Sequence, residues 1–74
     1  MDVGAKQDIF RLINDITRQG NSVIYASCEN SELLSITDRI YVLFDGHVMA
    51  ELETARTGED EIMHYSVGST TKYA

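Results

Sequence analysis

The first twenty residues alternate apolar and polar positions at the spacing of an amphipathic helix. The apolar face of this helix comprises five residues: Ala5, Ile9, Leu12, Ile13 and Ile16. Asp2 is suited to cap the N-terminus, and Gly20, shortly after Arg18, is a typical C-terminal stop. The pattern therefore predicts one long helix over residues 3 to 19.

Apolar runs after this helix predict strands. Val23-Ile24-Tyr25-Ala26 is apolar on both faces, which favours a strand buried on both sides. Residues 40 to 44 form a second apolar run, and Asp45-Gly46 is a tight-turn dipeptide. After the turn two sets of residues alternate: Val48, Ala50 and Leu52 with Met49, Glu51 and Glu53. We therefore expect one separate strand followed by a β-hairpin.

Two shorter helices complete the predicted elements. Asn30 or Ser31 is suited to cap the first, and Thr57 with Asp60 forms a capping box for the second. Their apolar residues are Leu33, Leu34 and Ile36 in the first and Ile62, Met63 and Tyr65 in the second. About a dozen residues separate the first two strands, enough for a parallel crossover. The predicted fold class is α/β, with flanking helices and a three-stranded mixed sheet made of one parallel crossover plus a hairpin.

Size and composition narrow the class of protein. The chain has 74 residues, no proline and one cysteine, Cys28, so it lies near the lower limit for a single core and has no disulfide to stabilise it. The net charge of -6 argues against nucleic acid as a partner. No apolar run approaches the ~20 residues of a membrane span. Because so few elements cannot cover both faces of the first strand, we expect the chain to be the end of a larger α/β domain.

Five stretches occur in a familiar order and spacing: Asp2-Val3-Gly4-Ala5-Lys6-Gln7, Val23-Ile24-Tyr25-Ala26-Ser27, Glu32-Leu33-Leu34, Thr37-Asp38-Arg39-Ile40-Tyr41-Val42-Leu43 and Asp45-Gly46-His47-Val48. Over residues 1 to 66 the chain resembles the last portion of the ATP-binding subunits of bacterial ABC importers for simple sugars, the ribose, galactose and xylose type. The resemblance implies the C-terminal part of an ABC nucleotide-binding domain over residues 1 to 66, followed by a polar tail over residues 67 to 74.

The resemblance implies roles for two positions, although no catalytic set is complete in the chain. Asp2 stands at the aspartate of the D-loop, which in this family lies between two nucleotide-binding domains. Ser27-Cys28 stands at the Ser-His pair of the switch loop, whose histidine contacts the γ-phosphate. A thiol is a weak donor without a cationic form, so Cys28 argues against hydrolysis at this site. This departure points to the second of two fused ATPase domains.

The cofactors implied by the resemblance belong to the parent subunit. The sequence contains no phosphate loop, signature loop or magnesium-binding acid, so ATP and magnesium are expected for the parent and none for this chain. We expect the chain alone to be inactive. The implied partners are the remainder of the domain and the permease subunits. The implied location is cytoplasmic, with the parent peripheral on the inner face of the cell membrane.

Simpler interpretations apply to single residues. Asp2 is suited to a helix cap alone, and a lone cysteine such as Cys28 is usually a small buried residue. His47 and His64 are expected at the surface, without a third metal ligand. Three aromatic residues in strands are expected in the core: Tyr25, Tyr41 and Phe44.

The alternative function is a standalone, non-enzymatic interaction module that associates through a sheet edge. A strand over residues 23 to 26 would leave one edge unpaired, and unprotected edges pair with other chains. Exchange of the first helix between copies is a second route to association. We therefore expect a homo-oligomer.

Overall fold

A computed structural model of the chain describes residues 3 to 73, in which three helices flank one hairpin. The elements in chain order are α1 (Val3–Arg18), α2 (Asn30–Ile36), β1 (Arg39–Phe44), β2 (His47–Glu53), a short 3-10 helix (Thr54–Arg56) and α3 (Glu59–Ser66). The three helices and the hairpin predicted from the sequence are present. No helix within residues 3 to 73 combines the length and the apolar character needed to cross a membrane.

The hairpin is antiparallel and closes through a two-residue turn. Asp45 and Gly46 both have positive φ, 49° and 78°, as a turn between right-twisted strands requires. Ile40 pairs with Leu52 and Val42 with Ala50, but Leu43 pairs with Val48, so Met49 is an extra residue that forms a bulge. The predicted alternation is therefore wrong beyond the bulge.

The bulge decides which side chains the hairpin leaves exposed. Val48 does not share the face of Ala50 and Leu52, and it is 60% exposed beside Leu43, which is 64% exposed. Tyr41 and Phe44 were expected in the core but are 53% and 45% exposed, respectively. The outer face of the hairpin is therefore more apolar than simple alternation predicts.

The core lies between the hairpin and the last two helices. Ile40, Val42 and Ile62 are only 3–5% exposed, so one β1 face packs directly against α3. Partly buried apolar residues surround them: Leu33, Leu34, Ala50, Leu52 and Tyr65. No described residue of α1 belongs to this cluster. The first helix is therefore held by other contacts.

The predicted first strand is absent, which overturns the three-stranded mixed sheet and its parallel crossover. Residues 21 to 27 are irregular, and the sheet of the described chain consists of β1 and β2 alone. A strand exists only where a neighbour completes its backbone hydrogen bonds. Within the described chain, residues 22 to 28 form no backbone–backbone hydrogen bond, and Ile24 is fully exposed.

The predicted N-caps of α2 and α3 are also displaced. The residue before α2 is Glu29, and the residue before α3 is Gly58; neither forms a side-chain cap hydrogen bond. In the predicted capping box the Thr57 oxygen would accept the amide of Asp60. The Thr57 hydroxyl instead donates to the side-chain Oε1 of Glu61 at 2.6 Å, so it binds a first-turn side chain rather than capping the helix.

Residues after α3 fold back onto that helix. His64 Nε2 lies 2.5 Å from the carbonyl oxygen of Thr71, and the amide of Tyr73 donates to the Tyr65 hydroxyl at 3.0 Å. Gly68 has φ 87° and lies against the ring of Phe44. The domain division after residue 66 stays a prediction, but this segment contacts both α3 and β1.

We predict that Gly68→Ala destabilises the chain more than Gly20→Ala. Both positions have φ near 90°, so alanine costs about 1–2 kcal/mol at either one. A Cβ at Gly68 would lie 2.5 Å from Phe44 Cε1, whereas a Cβ at Gly20 meets nothing within 4 Å. Denaturant unfolding of the two variants measures the difference. Equal losses of unfolding free energy would contradict the contact between Gly68 and Phe44.

Candidate functional site

The loop before α2 is tied to α1 by one ion-pair network. Lys6 Nζ in α1 lies 2.7 Å from Glu32 Oε1 in α2 and 3.3 Å from both carboxylate oxygens of Glu29. The Glu32 side chain is only 12% exposed and that of Lys6 28%. These contacts join two helices that share no buried apolar core.

The other carboxylate oxygen of Glu32, Oε2, binds the loop itself. Tyr25 and Ser27 donate their hydroxyls to Glu32 Oε2 at 3.1 and 3.2 Å. Ser27 Oγ in turn accepts the amide of Glu29 at 3.0 Å. We call Lys6, Tyr25, Ser27, Glu29 and Glu32 the Glu32 cluster. The ring of Tyr25 also meets Phe10 edge to face, with centroids 6.1 Å apart.

The cluster favours the charged forms of Lys6 and Glu32. Hydrogen bonds to Glu32 and then Glu29 raise the pKa of Lys6 above its ordinary 10.5. The hydrogen bond from Lys6, followed by that from Tyr25, lowers the pKa of Glu32 below 4.5. Removal from water, and then the bond to Glu32, raise the pKa of Tyr25 above 10.0. The ionised form of the Glu32 carboxylate is thus favoured: Oε2 accepts two hydroxyls, whereas Oε1 is buried and has only the ion pair with the Lys6 ammonium among the described residues. This arrangement suits Glu32 to hold a loop.

Cys28 is presented outward by this arrangement. It lies between Ser27 and Glu29, which both join the cluster, yet Cys28 itself is a free and exposed thiol. The interpretation of Cys28 as a small buried residue is therefore wrong. Asp2, the other predicted site residue, lies outside the described residues. The predicted roles of Asp2 and Cys28 stay predictions.

The two histidines lie in different surroundings. His47 is exposed at the start of β2, as expected. His64 is half-buried, because its ring meets Tyr65 and Tyr73 edge to face with centroids 4.8 and 5.4 Å apart. No group of three or more metal-ligating side chains occurs within residues 3 to 73.

Sequence reasoning did not identify the Glu32 cluster. In the sequence Lys6 and Glu32 stand only in two separate stretches of the family resemblance, and no pattern links them. Periodicity is a local signal, and it gives no information on a pair of residues that lie far apart in the chain. Their opposite charges were a signal, but other acids of the chain offered the same charge.

We predict that Lys6→Met lowers the free energy of unfolding mainly between pH 4.5 and 10.5, the ordinary values of the two groups. Glu32 has a lowered pKa, so its contribution is present above 4.5 and lost as pH falls through the folded-state value. Lys6 has a raised pKa, so its contribution is present below 10.5 and lost as pH rises through the folded-state value.

Denaturant unfolding of wild type and Lys6→Met across this range measures the effect. Arg11→Met is the control on the same helix, because Arg11 lies 3.6 Å from Asp8 with both side chains largely exposed, and such pairs contribute little. A difference between wild type and Lys6→Met that is the same at every pH would contradict the ion pair.

Curated relatives match nearly the whole chain but only a small part of their own length. The chain is 44% identical over 68 residues to a putative ribose/galactose/methyl galactoside import ATP-binding protein of Agrobacterium fabrum. It is 43% identical over 68 residues to a ribose import ATP-binding protein of Caldanaerobacter subterraneus. Each match covers 92% of this chain and 14% of the relative.

Another relative agrees with these two. A putative ribose/galactose/methyl galactoside import ATP-binding protein of Burkholderia cenocepacia is 44% identical over 92% of this chain and 13% of its own length. No family model and no solved structure matches the chain. The chain is thus related in sequence to one segment of the ribose and galactose import ATP-binding proteins, which confirms the resemblance that its motifs indicated.

Proposed function

We propose that the chain is the C-terminal part of the ATP-binding subunit of a bacterial ABC importer for simple sugars. The observation that carries this proposal is the match of 92% of the chain to import ATP-binding proteins at up to 44% identity. The parent subunit couples ATP binding and hydrolysis to monosaccharide uptake. It acts at the cytoplasmic face of the membrane, bound to permease subunits.

The nucleotide chemistry belongs to the rest of that subunit. ATP and magnesium require a phosphate loop and an acidic metal ligand, and the sequence has neither motif. The chain contributes the D-loop position, Asp2, and the switch position, Cys28. A thiol cannot supply the cationic contact of a histidine, so the proposed site does not hydrolyse ATP efficiently.

Exposed apolar residues support the proposal that other parts of a domain cover this chain. Leu12 of α1 is 59% exposed, Val23 is 38% exposed and Ile24 is fully exposed. An apolar run without a neighbouring strand is what removal of that strand would leave. In the proposed parent, residues 23 to 26 lie beside the strand that carries the magnesium-binding acid.

A chimera tests the proposed function. In the ribose import ATP-binding protein of Caldanaerobacter, the matching 68 residues are replaced by those of this chain. We expect ribose-dependent growth of a host that lacks its own ribose ATPase. The control chimera carries Ile40→Asp, which places a charge in the core and should abolish growth. A chimera that is stable and binds the permease but supports no uptake would contradict the proposal.

We further propose that the chain alone forms a homo-oligomer. The fully exposed Ile24, the unpaired backbone of residues 22 to 28 and the apolar side of α1 support it. Since residues 23 to 26 form no strand in the single chain, edge pairing would have to convert them into a strand on association. The net charge of -6 opposes association, but salt screens it.

We predict that sedimentation velocity at tens of micromolar finds a dimer or larger species, and that Ile24→Asp shifts it to monomer. Leu43→Asp is the matched control, because Leu43 is also well exposed, at 64%, but lies on the hairpin. Monomeric wild type would refute the oligomer. Dissociation by Leu43→Asp alone would place the contact on the hairpin instead.

A further inference from the structure

We infer that Glu32 is a positioning residue that fixes the loop of residues 25 to 29 against α1 and thereby holds position 28 in place. The functional consequence of this inference rests on the proposed function, because position 28 is the switch position only in the proposed subunit. Its structural content depends only on contacts of the described residues.

Three segments of the chain converge on the Glu32 carboxylate. Lys6 approaches Oε1 from α1 at 2.7 Å, whereas Tyr25 and Ser27 donate to Oε2 from the loop at 3.1 and 3.2 Å. The carboxylate itself stands on α2. A single side chain therefore links both helices and the loop between them.

The loop has little else to hold it. Within the described chain, residues 22 to 28 form no backbone–backbone hydrogen bond, and no strand lies next to them. Side-chain ties must then order this backbone: Tyr25 and Ser27 to Glu32, the amide of Glu29 to Ser27, the Glu29 carboxylate to Lys6, and the ring of Tyr25 to Phe10. Of the five ties, two end on the same Glu32 oxygen.

Cys28 takes its place from its two neighbours. Ser27 and Glu29 are both held in the cluster, so the exposed thiol between them is restrained on both sides along the chain. Because Lys6 binds both Glu29 and Glu32, a displacement of α1 displaces the loop with it. Without Glu32 only the Lys6–Glu29 pair and the contact of Phe10 with Tyr25 would tie the loop to α1, and the Tyr25 and Ser27 hydroxyls would lose their acceptor.

A nitroxide label on Cys28 tests this positioning, since Cys28 is the only cysteine of the chain. We expect a restricted electron paramagnetic resonance spectrum for wild type and a several-fold larger mobile fraction for Glu32→Ala. Lys6→Met, which removes the ion pairs to α1 but leaves Tyr25 and Ser27 bound to Glu32, should give an intermediate mobile fraction. Thermal unfolding of each variant separates loop release from global destabilisation.

Glu51→Ala is the matched control. Glu51 likewise accepts one cation and one phenol, Arg39 at 2.8 Å and Tyr41 at 3.3 Å, but on the hairpin. Its loss should leave the label spectrum unchanged. If Glu32→Ala does not fold, Glu32→Gln keeps the side-chain volume, removes the charge and replaces one acceptor oxygen by an amide group, and it should raise the mobile fraction less.

Equal label mobility in wild type and the folded Glu32 variants would overturn the inference, as would an equal rise in Glu51→Ala. The label measures loop order without nucleotide or permease, so this result is independent of the chimera. A chimera that supports no growth, together with a larger mobile fraction in Glu32→Ala, would refute the proposed function alone. A chimera that supports growth, together with an unchanged label spectrum in Glu32→Ala, would refute the positioning role alone.

Discussion

The described structure depends on the contact between α3 and the inner face of the hairpin. A two-stranded hairpin alone is at best marginally stable in water, because one of its faces must be covered. Ile62 provides that cover by packing against Ile40 and Val42, and these three are the most deeply buried residues in the described part of the chain. The positions of α2 and of the segment that follows α3 are set by this small core.

Polar contacts hold α1 and the loop that follows it against α2. No described residue of α1 enters the core, yet the helix is joined to α2 through Lys6, Glu29 and Glu32. Hydrogen bonds demand particular distances and angles between donor and acceptor. These contacts therefore restrict the position of the loop around Cys28, although Cys28 itself is exposed.

The proposed parent subunit would explain why the hairpin and α1 differ in how fully their apolar residues are buried. In the proposed parent subunit, the apolar side of α1 and residues 23 to 26 face other parts of the domain. The hairpin core is complete within the described residues, but the part of the chain that contains α1 leaves Leu12 59% exposed and Ile24 fully exposed. One part of the chain is therefore self-sufficient in packing, whereas the other leaves apolar residues for the proposed domain to cover.

The sequence by itself determined the helices, the hairpin and its Asp45-Gly46 turn, because helical periodicity and turn chemistry act over a few neighbouring residues. It also determined the resemblance to sugar import ATPases, which resides in short motifs. Only the tertiary structure decided that residues 23 to 26 form no strand, since a strand needs a neighbour that periodicity cannot reveal. The bulge at Met49 and the Lys6–Glu32 pair were decided there as well. Register and ion pairing join residues far apart in the chain, and their choice depends on how the whole chain packs.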